Sequence, residues 1–594
     1  MPTIGIKKDL LFTALGQTYT EEEFNDLCFE FGLELDEVTT EKQMISKEQG
    51  EEKSLEASEE EIYRIEIPAN RYDLLCLEGL ARALLIFQGK ATIPHYRRVK
   101  PSGVLQQLII KSETTRVRPF AVAAVLRNIT FTKERYNSFI DLQDKLHQNL
   151  CRKRSLVAIG THDLDTIEGP FIYDAKPPSE IKFVPLNQNK AFSATELMEL
   201  YSTDSHLRHY LHIIRDKPVY PIIYDQNNVV LSMPPIINGN TSKITLNTRN
   251  VFIECTAVDL QKAKIVLDVL VCMFSQYCDE PFTIEEALVV NSDGTETRYP
   301  ELHYRQDSVT MDAVNRFVGI NLNEDEIAKM LTKMSLKSHV KRKKKQRPQI
   351  LVEIPPTRHD ILHSCDIMED IAIAYGYNNI KMTIPKTATI AQQFPLNKLS
   401  DQLREEMAHA GFTETLTFSL LSKEDITDKL RKPNELSEAV HISNPKAIEF
   451  QVARTTLLPG LLKTIHANKR IPLPVKLFEI SDIVVKDNSK DVGARNERHL
   501  CAVYYNKNPG FEVIHGIMDR IMQILDVSLC TEDKNKGYYI SAHNDSLYFP
   551  GRCAQIIFNG QSVGSLGVLH PEIVTSFDLI HPCSALEINL EVFL

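Results

Sequence analysis

The feature that most constrains this chain is a repeat. The run Ile65-Glu66-Ile67-Pro68-Ala69-Asn70-Arg71-Tyr72-Asp73-Leu74-Leu75 returns as Val352-Glu353-Ile354-Pro355-Pro356-Thr357-Arg358-His359-Asp360-Ile361-Leu362. Glu66 maps to Glu353, a shift of 353 − 66 = 287 positions. Each copy reads as a strand, a Pro-bearing turn and a helix capped near the Asp. Upstream, Thr20-Glu21-Glu22-Glu23-Phe24 parallels Asn323-Glu324-Asp325-Glu326-Ile327. Both place a capping residue three positions before a Glu, the signature of a capping box. Apolar positions then agree: Phe24 with Ile327, Leu27 with Met330, Phe31 with Met334, Leu33 with Leu336. The chain is therefore expected to hold two copies of one small helix–strand–strand–helix unit.

At 594 residues, one hydrophobic core is not enough, and three to five domains are expected. No apolar run reaches the roughly 18 residues that a membrane span needs. The first fifteen residues carry Lys7, Lys8 and Asp9 and lack the long apolar core of a secretory signal, so a cytoplasmic location is expected. Eleven scattered cysteines without a CxxC pair argue against zinc and disulfides and suit a reducing compartment. With a net charge of -11, nucleic-acid binding would have to come from local basic patches. Each repeat contains a charged tongue, acidic from Glu48 to Glu61 and basic from Lys341 to Arg347. Such runs read as solvated loops; the other reading has the basic tongue touching nucleic-acid phosphates.

Between the repeats, residues 115–290 read as mixed α/β. Ala121–Leu126 is a buried strand, and Phe139–Leu150 an amphipathic helix with Phe139, Leu142, Leu146 and Leu150 on one face. Leu156–Ile159 is strand-like, followed by an apparent turn, Gly160-Thr161-His162-Asp163. The Pro/Gly/Asn-rich stretch Ser232–Asn240 reads as a long irregular loop, more often functional than not, before a strand over Asn250–Thr256. From Phe394 an antiparallel-sheet α+β region is expected. It has a helix over Leu399–Ala410, strands at Thr415–Ser419, Val475–Val485 and Leu500–Tyr505, and a helix over Gly516–Leu525.

The clearest chemistry sits on the helix Ile361–Tyr375, with a buried stripe of Ile361, Cys365, Met368, Ala372 and Tyr375. Asp366, Glu369 and Asp370 stand at i, i+3 and i+4, and Asp360 lies about a turn earlier. Carboxylates that close either hold a hard cation such as Mg²⁺ or complement the helix dipole and pair with an Arg; the spacing does not choose. Other signals carry less. Lys333–Ser338 looks like the lysine loop of class I synthetases, but its repeat partner, Glu30–Glu34, is an ordinary helix end. No HIGH sequence and no Gly-rich nucleotide loop occurs. His206, His209 and His212 fit a mixed surface helix.

The opening Lys7-Lys8-Asp9-Leu10-Leu11, the run Glu30–Glu34 and the segment Ile67–Asp73 together resemble phenylalanine–tRNA ligase β subunits of the eukaryotic/archaeal cytosolic type. So do Ala158–Asp165, Arg358–Asp370, and Asn444-Pro445 through Arg454–Gly460, so the resemblance spans essentially the whole chain. It implies an α+β multidomain protein with two DNA-binding-like small domains at 1–90 and 300–380. It also implies a tRNA-binding/editing domain at 91–290 and a class II synthetase-like antiparallel-sheet domain at 390–594. The last would lack catalytic motifs, since Leu477–Val485 carries no Arg where class II enzymes grip the α-phosphate. The resemblance further implies an α₂β₂ heterotetramer with the α subunit, binding of tRNA(Phe), no membrane, and a Mg²⁺ at Asp360, Asp366, Glu369 and Asp370. An editing pocket for Tyr-tRNA is implied at Ser232, Glu254 and Thr256, with Glu254 accepting the tyrosyl hydroxyl and the other two orienting water or ester. The archaeal relatives have Asp where this chain has Glu254. The alternative is a tRNA-binding scaffold with an inactive pocket.

Overall fold

A computed structural model describes residues 2–43, 58–101, 103–342, 348–530 and 536–594. The acidic tongue up to residue 57 and the basic tongue from residue 343 lie outside the described residues. The chain forms two compact units, Met1–Ile384 and Pro385–Leu594. Among the described residues no helix is long and apolar enough to cross a membrane.

In the first unit the repeat folds as two modules of one topology. Strand Glu61–Glu66 lies between Thr3–Lys7 and Glu34–Thr40, just as Gln349–Ile354 lies between Arg305–Val309 and Lys337–Lys341. Both expected capping boxes form. The Thr20 hydroxyl accepts from the Glu23 N–H while the Glu23 carboxylate accepts from the Thr20 N–H, and Asn323 and Glu326 do the same. Phe24, Leu27, Phe31 and Leu33 are buried, as are Ile327, Met334 and Leu336. Each module opens with one more strand and helix than the repeat disclosed: Thr3–Lys7 with Lys8–Leu15, and Arg305–Val309 with Met311–Val318. The two modules pack reciprocally. Helix Glu21–Phe31 of the first meets Ser364–Tyr375 of the second, and Leu77–Phe87 of the first meets Glu324–Lys333 of the second.

Between the modules runs one large sheet. From one edge its strands are Val157–Asp163, Val251–Ala257, Phe120–Leu126, Thr283–Val290, Gln107–Ile110, Phe171–Lys176, Tyr220–Tyr224, Val230–Met233 and Ile237–Asn238. Helix Leu260–Phe274 packs against Phe120–Leu126 and Val251–Ala257. Helix Lys133–Gln148 starts six residues before its apolar stripe because the Thr132 hydroxyl caps it by accepting from the Arg135 N–H. The sheet rolls back on itself, since Ser232 near one end touches Glu254 near the other.

Three expectations fail here. The stretch Ser232–Asn240 is not an irregular loop. Ser232 pairs with Asn238 and Met233 with Ile237 in a tight hairpin that confines both prolines to its turn, where no ladder N–H is needed. Likewise Gly160–Asp163 is no turn but the second half of strand Val157–Asp163. The three histidines are not on one helix either: His206 precedes the short 3₁₀ turn Leu207–His209, which holds His209, and His212 lies on the next, Leu211–Ile213.

In the second unit seven strands run in the order Thr413–Glu414, Val475–Lys486, Ala494–Tyr505, Cys583–Asn589, Gln561–Leu569, Tyr548–Phe558, Tyr538–Ala542. All neighbours are antiparallel except the first pair. Alternation splits the side chains between two cores: Cys501 and Val503 pack with Leu461 and Ile573, while Leu500 and Ala502 pack with Leu403 and Met518. The two expected helices form as Pro395–His409 and Phe511–Ile524, the latter starting five residues earlier than expected. Thr415–Ser419 is not a strand; the Thr417 hydroxyl instead donates to Glu479.

On this sheet His499 bonds Glu497 through Nε2 and Glu587 through Nδ1, both at 2.9 Å. Burial opposes its charge, but the two carboxylates win and push its pKa up to about 9. A raised folded-state pKa gives stability that is complete below the ordinary value near 6.5 and fades as pH rises through about 9. The full chain's melting temperature should therefore fall between those pH values, and His499→Gln should flatten that slope; an equally steep slope in the variant would discount the cluster.

Candidate functional site: a buried carboxylate on a cavity wall

Strand Val251–Ala257 is buried along its whole length between Phe120–Leu126 and Val157–Asp163. Phe252, Glu254 and Thr256 share one face. A carboxylate needs room and partners there, because an isolated buried charge is very costly. Room comes from its two cross-strand neighbours, Ala123 and Gly160. A Cβ on Gly160 would sit 2.1 Å from Glu254 Oε1 and 3.0 Å from His162 Nε2. Gly160 is thus a glycine inside a strand because a neighbouring side chain lies across it.

Partners come from elsewhere in the rolled sheet. Ser232 Oγ donates to Glu254 Oε1 at 2.9 Å. His162 Nε2 lies 3.8 Å from the same oxygen, and the other ring nitrogen, Nδ1, meets Ser242 Oγ at 2.8 Å. Glu254 Oε2, His162 Nε2 and Thr256 Oγ1 are buried and have no hydrogen-bond partner. Arg118, also buried, donates to the Thr256 carbonyl at 2.9 Å.

Glu254 forms part of the wall of a cavity of about 460 Å³, together with Tyr136, His147, Arg154, Thr161, Pro235 and Asn238. That volume suits a small organic group. His147 accepts from the Ile159 N–H at 2.9 Å. Burial first, then the charges of Arg154 and Arg118, hold its pKa well below the usual histidine range, so the ring is neutral. Arg154 donates to the carbonyls of Pro235 and Ile236 and covers the Tyr210 ring, fastening the Ser232 hairpin over the cavity.

The structure thus brings Ser232 to Glu254, while the Thr256 hydroxyl is sealed on the same strand; neither lines the cavity itself. Gly160, His162, His147 and Arg154 were missed from sequence. The available signal was Gly160 within an apolar run, which marks a close approach as readily as a turn.

Of the second set, Asp360, Asp366, Glu369 and Asp370, only Asp360 and Asp370 are brought together, on one guanidinium. Arg358 grips Asp360 with two parallel bonds, Nε to Oδ1 at 3.0 Å and Nη2 to Oδ2 at 2.8 Å, and reaches Asp370 at 2.6 Å. Asp366 accepts from the backbone N–H groups of Leu362 and His363, capping a helix that starts at Ser364 instead of Ile361. Glu369 is exposed. The helix buries Ile367, Met368, Asp370, Ile371 and Ala372, so the expected stripe is rotated and Cys365 is exposed. Among the described residues no three His, Cys, Asp or Glu side chains are arranged to hold a metal ion. As arranged, these acids do not fit Mg²⁺, because a guanidinium stands where the cation would.

The repeat supplies the reason. Arg71 grips Asp73 as Arg358 grips Asp360, at 2.9 and 2.8 Å. The two pairs are close enough that Arg358 and Asp360 act electrostatically on Arg71. Burial lifts the Asp370 pKa to about 6 against the pull of Arg358 and Arg71. For Asp360 the Arg358 guanidinium outweighs burial and holds it below the usual range.

Four family models match this architecture: the Phe-tRNA synthetase beta subunit B1 domain at residues 1–90, the B3/4 domain at 103–279, the tRNA synthetase B5 domain at 308–377, and the phenylalanyl tRNA synthetase beta chain CLM domain at 380–590. The class they define is an aminoacyl-tRNA synthetase chain. The mouse phenylalanine–tRNA ligase beta subunit is 64% identical over 100% of both chains, and that of Drosophila melanogaster 59% over 100% of both. The Arabidopsis thaliana cytoplasmic beta subunit is 48% identical, again over 100% of both. An N-terminal fragment of the Pyrococcus horikoshii phenylalanyl-tRNA synthetase beta subunit matches with 30% identity and a TM-score of 0.54, covering 63% of this chain and 99% of the fragment. The chain belongs to the phenylalanine–tRNA ligase β-subunit family.

Arg358→Met should destabilise the chain by about 3–5 kcal/mol, because it leaves two buried carboxylates unpaired. Adding Asp360→Asn and Asp370→Asn should recover much of that loss in denaturant titrations. Rescue of the single variant by added Mg²⁺ would show instead that these acids accept the metal in place of the guanidinium.

Proposed function

We propose that this chain is the tRNA-holding and proofreading subunit of phenylalanine–tRNA ligase. In an α₂β₂ heterotetramer with the α subunit it takes part in the ATP-dependent attachment of phenylalanine to tRNA(Phe), in the cytoplasm. Residues 1–90 and 300–380 serve as small DNA-binding-like modules, 91–290 as the tRNA-binding/editing domain, and 390–594 as a class II synthetase-like domain that packs but does not activate amino acids. Family membership supports the assembly.

One observation carries the proofreading reading: a buried carboxylate with one oxygen left unpartnered, on the wall of a cavity of about 460 Å³. An apolar pocket rejects an added hydroxyl only about a hundredfold, so a ligase for phenylalanine needs a second pocket to clear tyrosine. Such a pocket must accept a hydrogen bond from the phenol. Glu254 does this through Oε2, Ser232 acts through Glu254, and Thr256 stands beside it on the same strand face. Glu254→Ala should abolish the preference for hydrolysing Tyr-tRNA(Phe) while phenylalanine charging stays nearly intact. Continued clearance of Tyr-tRNA(Phe) by this variant would put the proofreading site elsewhere, whereas absence of clearance by the unaltered heterotetramer would favour the scaffold reading.

The last domain is read as inactive because its charged groups are already paired. Glu479 is held by Arg454 and Thr417, and Asp482 by Arg498, and the strand Val475–Lys486 itself carries no Arg for a phosphate. Purified alone, the chain should show no phenylalanine-dependent ATP–pyrophosphate exchange, and adding the α subunit should restore it. Robust exchange without that subunit would reverse this assignment.

A further inference from the structure

The proposal concerns how Glu254 is held, and it rests on the proofreading reading above. Both oxygens of a carboxylate are equivalent until its surroundings distinguish them. Here they do: Oε1 receives the Ser232 hydroxyl and faces His162 Nε2 at 3.8 Å, whereas Oε2 has no partner. His162 is fully buried, and its Nδ1 lies 2.8 Å from the hydroxyl of Ser242, which is also fully buried. A serine hydroxyl can donate to Nδ1, and the ring proton then sits on Nε2, aimed at Glu254. An imidazole N–H left unpaired in the interior is costly, and Glu254 Oε1 lies about an ångström beyond hydrogen-bonding distance. Contacts of this kind often tighten when substrate arrives.

We infer that His162, set by Ser242, is a positioning residue that fixes Glu254 Oε1 together with Ser232, so that Oε2 is left to accept the phenolic hydroxyl of a tyrosyl ester. Gly160 completes the device. Its missing side chain is the space through which Glu254 and His162 approach each other, since a Cβ there would touch both. The role is a matter of recognition, since His162 does not line the cavity and acts through Glu254. Loss of the ring should therefore weaken discrimination more than turnover.

The test uses the assembled heterotetramer and compares hydrolysis of Tyr-tRNA(Phe) with that of Phe-tRNA(Phe). His162→Phe keeps a buried ring and removes the donor. It should lower kcat/KM for the tyrosyl ester about tenfold, the value of one hydrogen bond to a charged group, mainly through KM, and leave the phenylalanyl ester unchanged. His162→Gln, which returns an N–H near Nε2, should restore most of that loss, a rescue that a purely packing role would not give. Ser242→Ala leaves the ring in place but frees its proton, so it should fall between the two. It also carries the test should His162→Phe fail to assemble. Unchanged discrimination in His162→Phe, or in Ser242→Ala, would overturn the inference, as would equal losses in His162→Phe and His162→Gln. Glu254→Ala is measured alongside. If it too leaves discrimination intact, the pocket reading itself has failed; if it abolishes discrimination while the His162 variants do not, only the positioning role has failed.

Discussion

Much of the first unit follows from placing one carboxylate inside a sheet. Burial removes Glu254 from water, and a charge in that position persists only if polar groups replace its hydration. Its own strand and the two flanking ones offer side chains to few of those needs, so the replacement comes from afar. Ser232 belongs to a hairpin six strands away in sheet order, and it reaches Glu254 only because the sheet rolls. The roll, the hairpin fastened by Arg154, and the empty place at Gly160 together accommodate that one group.

The two modules solve a similar problem with complete pairing. Arg71 with Asp73, and Arg358 with Asp360, each form a two-bond fork, the geometry in which arginine binds a carboxylate best. Such pairs add little net stability in an interior, but removing one member is expensive, so they fix which surfaces meet. The contrast with the cavity is informative. In the modules each of these carboxylates meets a guanidinium directly. Around Glu254, the unmatched Oε2 and His162 Nε2 stand close to a cavity of small-molecule size.

Sequence disclosed the duplicated modules because local signals repeat at a fixed offset: two capping boxes, matched apolar positions and the Arg-x-Asp run. It disclosed Glu254 and Thr256 as sharing a face because strand alternation is a local rule. It did not disclose that Gly160 continues a strand, since the reason for that glycine is a side chain 94 positions away by number (254 − 160). Nor did it show that Ser232 sits in a strand, because two prolines in a short hairpin turn look the same as prolines in a loop. The acids at 360–370 spaced themselves as ligands would, but spacing along a helix says nothing of an arginine arriving from outside it. Arg358 was in the repeat all along; only the fold turns it toward both Asp360 and Asp370.

The reciprocal packing of the modules, second helix on last and last on second, is the pattern of a two-fold symmetric dimer. Here both partners are spliced into one polypeptide, with the large sheet inserted between them. Their association is therefore independent of concentration, and it is also released from symmetry. In a true homodimer any substitution appears twice, so an acid at the dyad would face its own copy. In the fused pair Asp370 corresponds to Ala83 (370 − 287 = 83), and both are buried. A lone surplus carboxylate can then sit beside two guanidiniums. Joining both halves in one chain gives this interface a degree of freedom that an oligomer lacks: its two halves can differ in sequence.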